Sequence, residues 1–170
     1  MPANPRHARQ PRPGVIKLYL CVIKDVWSNR IVGYSIADRM TSSIAVTALE
    51  SAVARRHTAG QKVTGCVVHS DRGSQFHSRK LQRALFRHRL IGSMGQVGSA
   101  GDNAAMESFF SLLQKNVLNR HAWDTREELR IAIVIWIERT YRRRRRQAAL
   151  GRLTPIEFEI IMSQTADQAA

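Results

Sequence analysis

The stretch HSDRGSQF, residues 69–76, decides how this chain is read. It closes an apolar run, Val63 to Val68, with an acid, a base and a glycine in quick succession. A β-branched run that stops at turn-forming residues is a strand end, and Asp71 stands at it. Two readings of that carboxylate are open from the local sequence. Asp followed by Arg-Gly caps a turn well, and in α/β sheets ligands also gather at the carboxyl ends of strands.

Upstream, LYLCVI (residues 18–23) is continuously apolar, and RIVGYSI (30–36) follows the turn-like DVWSNR, so the pair reads as a hairpin. A strand apolar on both faces belongs inside a sheet. Thr41 or Ser42 caps a helix running to about Arg56, with Val46, Leu49 and Val53 at helical spacing and Gly60 ending it. A third strand covers residues 63–70, and Ser78 caps a helix whose stripe is Leu81, Leu85 and Phe86. The glycine-spaced GSMGQVGSAGDN, residues 92–103, reads as a mobile loop.

Beyond it AAMESFFSLLQKNVL (104–118) is a helix with Met106, Phe109, Phe110, Leu113 and Val117 facing a core. Thr125 with Glu128 forms a capping box that opens TREELRIAIVIWIERTY, and Thr154, Pro155 and Glu157 repeat that start signal in LTPIEFE. The IAIVIWI portion passes for a strand, but the cap and the length favour a helix. The fold class is therefore α/β, with a mixed sheet flanked by helices.

Glu107 follows Met106 and sits at the edge of the apolar stripe, beside Asn103, Ser111 and Gln114. It reads either as a cleft-facing acid or as an ordinary first-turn glutamate complementing the helix dipole.

Length and charge bound the function. At 170 residues and 44% hydrophobic content the chain holds one globular domain with appended segments. The net charge of +14 favours a polyanionic partner, nucleic acid first, against the plainer reading of a solvated surface. Residues 1–85 carry 14 basic and 4 acidic groups and residues 86–170 carry 13 and 9, so the excess is spread as a groove would need. Cys21 and Cys66 have neither disulfide nor zinc spacing, which suits a reducing compartment. No run reaches the length of a membrane span, and MPANPRHARQPRPG lacks the apolar core of a signal peptide, so a cytoplasmic protein is expected.

Between Asp71 and Glu107 lie 35 residues. HSDRGSQF followed by GDNAAMESFFSLLQKN resembles the second and third acids of the Asp-Asp-Glu transposases with an integrase core. More closely, the chain resembles the second-frame transposases of bacterial insertion sequences. KLYLCVIKDVWSNRIVGYS is similar to that family's second and third strands, and TREELRIAIVIWIERTYRRRRRQ with LGRLTPIEFE to its C-terminal end. The resemblance covers about residues 15–162. It implies a ribonuclease-H-like core (15–138) between a disordered basic arm (1–14) and an arginine-rich segment with a C-terminal helix (139–170).

It also implies DNA cleavage and strand transfer by in-line phosphoryl transfer at two Mg2+ or Mn2+ ions, hard cations that take carboxylate oxygens. Asp71 and Glu107 would be the catalytic metal ligands. His69, Asn103 and Lys115 would be supporting or DNA-facing groups, and several copies would assemble on DNA.

Two departures qualify this. The family's first acid lies on a first strand, yet residues 1–24 contain no Asp or Glu. Asp25 stands where the family has a structural turn acid. The expectation is an N-terminally truncated copy, its first strand missing, that neither cleaves nor joins DNA alone and exposes a sheet edge. Gln114 holds a position where the family often has a DNA-contacting lysine, and Lys115 follows one place later, about 100° around the helix.

A non-catalytic DNA-binding remnant is the competing reading, carried by Arg142, Arg143, Arg144, Arg145 and Arg146. These five cannot share one helix face, so they wrap a phosphate backbone or cap a solvated helix end. Trp123 and Trp136 either stack on bases or fill the core. A nuclease on RNA–DNA hybrids shares the fold but not the acid spacing or the arginine block.

Overall fold

A computed structural model describes residues 16–95 and 104–168. Strand β1 (Tyr19–Lys24) pairs antiparallel with β2 (Ile31–Ala37), and helix α1 (Ser42–Thr58) follows. Strand β3 (Val67–Ser70), a short 3-10 turn (Ser74–His77), α2 (Arg79–Arg87) and β4 (Ile91–Met94) form a second unit in which β3 and β4 run parallel. Helix α3 (Ala104–Leu113) runs into a π-helical turn (Gln114–Leu118), α4 (Arg126–Ile135) into another (Trp136–Tyr141), and α5 (Pro155–Gln168) ends the fold.

The described residues thus make two two-stranded sheets, β1–β2 and β3–β4, with no ladder between β1 and β3. They are joined by side chains. Cys21 and Ile23 of β1 and Val68 of β3 pack on one cluster made by Ala45 and Leu49 of α1 and Leu81, Ala84 and Leu85 of α2. Leu20 and Val22, the alternate residues of β1, join the other cluster with Ile31, Phe109, Leu113, Ile133 and Trp136. β1 is therefore apolar on both faces because a helix layer lies on each. Helix α1 packs so closely on β2 that a Cβ at Gly33 would sit 2.7 Å from the Ala52 Cβ.

The local signals are realised as hydrogen bonds. Ser78 Oγ accepts from Leu81 N at 3.2 Å, and Thr125 and Glu128 close a reciprocal box. Thr154 and Glu157 do the same at α5. IAIVIWI is helical, spanning α4 and its π-helical turn.

Three expectations are corrected. The third strand is shorter than 63–70, because Gly65 at φ +80° breaks the extended chain ahead of Val67. Phe86 is 86% exposed, leaving Leu81 and Leu85 as the core stripe of α2. Residues 92–94 of the expected loop belong to β4, where Gly92 pairs with Val68; residues 96–103, with the mobility expected of the loop, lie outside the described residues, as does the N-terminal arm.

Candidate functional site

Asp71 follows β3 directly, and its Oδ1 accepts the Gly73 N–H at 2.8 Å. A Cβ at Gly73 would come within 2.9 Å of that oxygen, so glycine is what lets the turn close on the carboxylate. Arg72 Nε donates to Gly95 O at 3.0 Å and holds the turn to the end of β4. His69 Nδ1 lies 3.1 Å from Ser93 Oγ across the same strand pair. The turn-capping reading of Asp71 is thus realised, and it engages one oxygen of an exposed carboxylate.

Burial, and then the charge of Asp71, push the Cys21 thiol up to about 11. Glu107 stands in the first turn of α3 and is exposed. Two residues before it, Ala105 O accepts from Lys24 Nζ, at the end of β1, at 3.0 Å. The first turn of α3, and Glu107 with it, is thereby tied to the end of β1. Among the described residues neither acid forms an ion pair.

Asp25 has different company. Its Oδ1 accepts the N–H groups of Trp27 and Ser28 at 2.8 and 3.0 Å, and its Oδ2 pairs with Arg56 at 2.7 Å. One oxygen serves the hairpin turn and the other ties it to α1, a structural role for this acid.

Nearby lies a polar cluster that sequence reasoning missed. Glu159 of α5 is buried and takes Ser28 Oγ at 2.7 Å, Arg56 at 2.9 Å and a close Arg30 pair. Burial pushes its carboxyl up, but the bonds from Arg56, Ser28 and Arg30 outweigh it and hold the group below the usual range. A second cluster joins Glu138 to Tyr34, Arg55 and Arg142. The partners are far apart in sequence, so no local pattern announces them.

The arginine run divides. Arg142 is 2% exposed and paired with Glu138, and burial lowers its guanidinium pKa to about 10. Arg143 and Arg144 are exposed, Arg145 is half-buried, and the exposed Arg146 lies 3.8 Å from Glu157. Arg142 sits inward because it continues the helical turn behind the buried Tyr141, which settles it as a core ion pair and not a surface contact. Lys115 is exposed on the π-helical turn after α3. Trp136 is buried against Phe109 and Tyr141, and Trp123 packs on the same cluster, so both are core. Asn103 lies outside the described residues.

Exposed carboxylates free of cations are hard oxygen donors, the donor type that Mg2+ or Mn2+ takes. Asp71 and Glu107 supply two. Among the described residues no group of three or more His, Cys, Asp or Glu gathers, so a third ligand residue does not join them.

The integrase core domain model matches residues 6–100, and a second integrase core model matches residues 89–155. The chain belongs to the integrase core domain family. It is 39% identical over 142 residues to the transposase InsF for insertion sequence IS3A of Escherichia coli (strain K12), covering 84% of this chain and 48% of that protein. It is 34% identical over 142 residues to the transposase for insertion sequence element IS904 of Lactococcus lactis subsp. lactis (strain IL1403), covering 84% and 54%. This integrase core chain thus spans about half the length of the curated relatives it matches.

Two solved structures share the fold. One is a chain of the simian T-cell lymphotropic virus intasome in complex with the PP2A regulatory subunit B56 gamma. Its TM-score is 0.59 at 19% identity, covering 83% of this chain and 47% of that one. The other is the HTLV-2 integrase catalytic core domain in complex with magnesium, trimeric form. Its TM-score is 0.57 at 18% identity, covering 83% and 82%. The ribonuclease-H-like, mixed α/β class expected from sequence is the class of this integrase core. No helix among the described residues is long and apolar enough to cross a membrane.

Proposed function

We propose that this chain is the DNA-acting core of an insertion-sequence transposase, with Asp71 and Glu107 as its metal-binding carboxylates. The observation that carries this is their freedom. In a chain of net charge +14, neither is ion-paired among the described residues, as is also true of Asp124 and Glu128, while Asp25, Glu138 and Glu159 are bonded to arginines. A divalent ion held there supplies Lewis-acid activation of a phosphodiester. The chain's own part is to present Asp71 from a glycine-closed turn, to present Glu107 from a helix start, and to hold the DNA backbone by Coulomb attraction. Lys115, Arg143, Arg144, Arg145 and Arg146 provide that attraction, with bacterial DNA as the substrate, several copies assembling on it, and the cytoplasm as the place of work.

Among the described residues no third acid joins these two, and the behaviour we expect of this chain by itself is DNA binding without cutting or joining. A strand-transfer assay with Mn2+ and terminal-repeat DNA tests this. The expected result is binding that is equally tight in EDTA and falls steeply with salt, with no joined product. Product that disappears in Asp71→Ala would overturn the claim of inactivity and show that two acids suffice or that a third is supplied.

A further inference from the structure

We propose that Lys24 is a positioning residue whose ammonium group holds the first turn of α3, and Glu107 with it, against the end of β1. The role assigned to Glu107 here rests on the reading of that residue as a site carboxylate.

The β1–β2 ladder is regular from Tyr19 to Ile23 and slips between Ile23 and Lys24, where Lys24 comes to face Ile31. The extra residue at the slip is Val32 of β2, so β1 keeps its alternation and Lys24 shares the face of Leu20 and Val22, which pack on the cluster that holds Phe109 of α3. From that face Lys24 reaches across 81 positions of sequence to Ala105 O. The fully buried anchors of α3 are Phe109 and Leu113, so the turn ahead of them leans on the partial packing of Met106 and on this bond.

Lys24 is itself half-buried, and burial followed by the charge of Arg145 lowers its pKa, so the ammonium is partly withdrawn from water where it meets α3. A lysine that merely covered apolar surface with its stem would keep its head in solvent. Groups that orient a metal ligand matter because the ligand must be held within about 0.5 Å of its working place, and removing one commonly lowers metal affinity roughly 10–100-fold.

Hydrogen exchange on the metal-free chain tests the placement. In Lys24→Met, amides of residues 106–110 are expected to exchange roughly tenfold faster while β2 and α4 keep their rates, and Lys24→Arg to return most of the protection. Unchanged exchange at 106–110, or uniform acceleration everywhere, overturns the proposal. Mn2+ titration followed by electron paramagnetic resonance adds the second arm, with a roughly 10–100-fold weaker affinity expected in Lys24→Met and a partial return in Lys24→Arg. Equal affinity in wild type and Lys24→Met overturns the proposal. Should the wild type bind no Mn2+ through Asp71 and Glu107, the metal reading fails, and the exchange result still decides whether Lys24 places the turn.

Discussion

Glu159 and Asp71 are carboxylates of the same strongly basic chain, and their surroundings differ in almost every respect. Glu159 is buried, with Ser28, Arg30 and Arg56 on its two oxygens. Asp71 is exposed, and its partner is the backbone N–H of Gly73. With 27 Lys and Arg against 13 Asp and Glu, cations are plentiful enough to neutralise every acid. An acid that stays free in such a chain is therefore informative. The clamp acids hold α5 and α1 to the hairpin, and the free acids are left available to something from outside.

The largest effect should come from breaking the clamp. Glu159→Ala leaves Arg30 and Arg56 without their shared acid, and urea unfolding should show a loss of about 3–5 kcal/mol. Replacing Arg30, Arg56 and Glu159 together by methionine should recover most of it. A loss under about 1 kcal/mol would make Glu159 no different from a surface acid and dissolve the contrast.

Acid titration sharpens the same point. Against the upward push of burial, the Glu159 and Glu138 carboxyls are held below the ordinary glutamate value of 4.5, chiefly by Arg56 and Arg55 respectively. Their folded pKa is depressed, so the stability they contribute is complete above pH 4.5 and is lost as pH falls through the folded values. Stability of Glu159→Gln should be lower at neutral pH and flatter on acidification. A pH dependence identical to wild type would count against the clamp.

A smaller effect is expected at the thiols. Alkylation at pH 8 should modify the exposed Cys66 well before Cys21, whose thiol is raised to about 11 by burial and then by Asp71. Asp71→Asn removes the second cause and should speed Cys21 severalfold. An unchanged rate would mean that Asp71 does not sit beside β1.

The smallest effect is predicted for the free acids. Asp71→Asn and Glu107→Gln should alter unfolding free energy by no more than about 0.5 kcal/mol, because an amide oxygen can still accept the Gly73 N–H and Glu107 is an exposed surface position. Asp25→Ala, which loses two turn hydrogen bonds and an arginine, should cost about 1–2 kcal/mol.

What the sequence revealed follows from how far apart the interacting groups lie. The Asp71 turn, the boxes at Thr125 and Thr154, and the two-faced LYLCVI strand are local patterns that each element carries within itself. β4 was missed because Gly92 and Gly95 read as loop, whereas pairing with β3 overrides that preference. The clamp joins positions 28, 30, 56 and 159, and no window contains them. Lys24 reads simply as the polar end of an apolar strand, since its partner Ala105 lies 81 positions away. Arg142 was grouped with its four neighbours because a run of identical residues hides which one points inward.

Among the described residues no ladder joins β1 to β3, and this bears on how these strands open. Backbone pairing couples neighbouring strands into one cooperative unit, while side-chain packing alone couples them more weakly. β3, α2 and β4 form one such unit, and Asp71 belongs to it. Glu107 rides on α3, which packs with β1 and β2. An ion gripped by both carboxylates would span that seam and fasten two separately opening units, so metal affinity and slow opening of the β3–β4 unit would be two measures of one equilibrium.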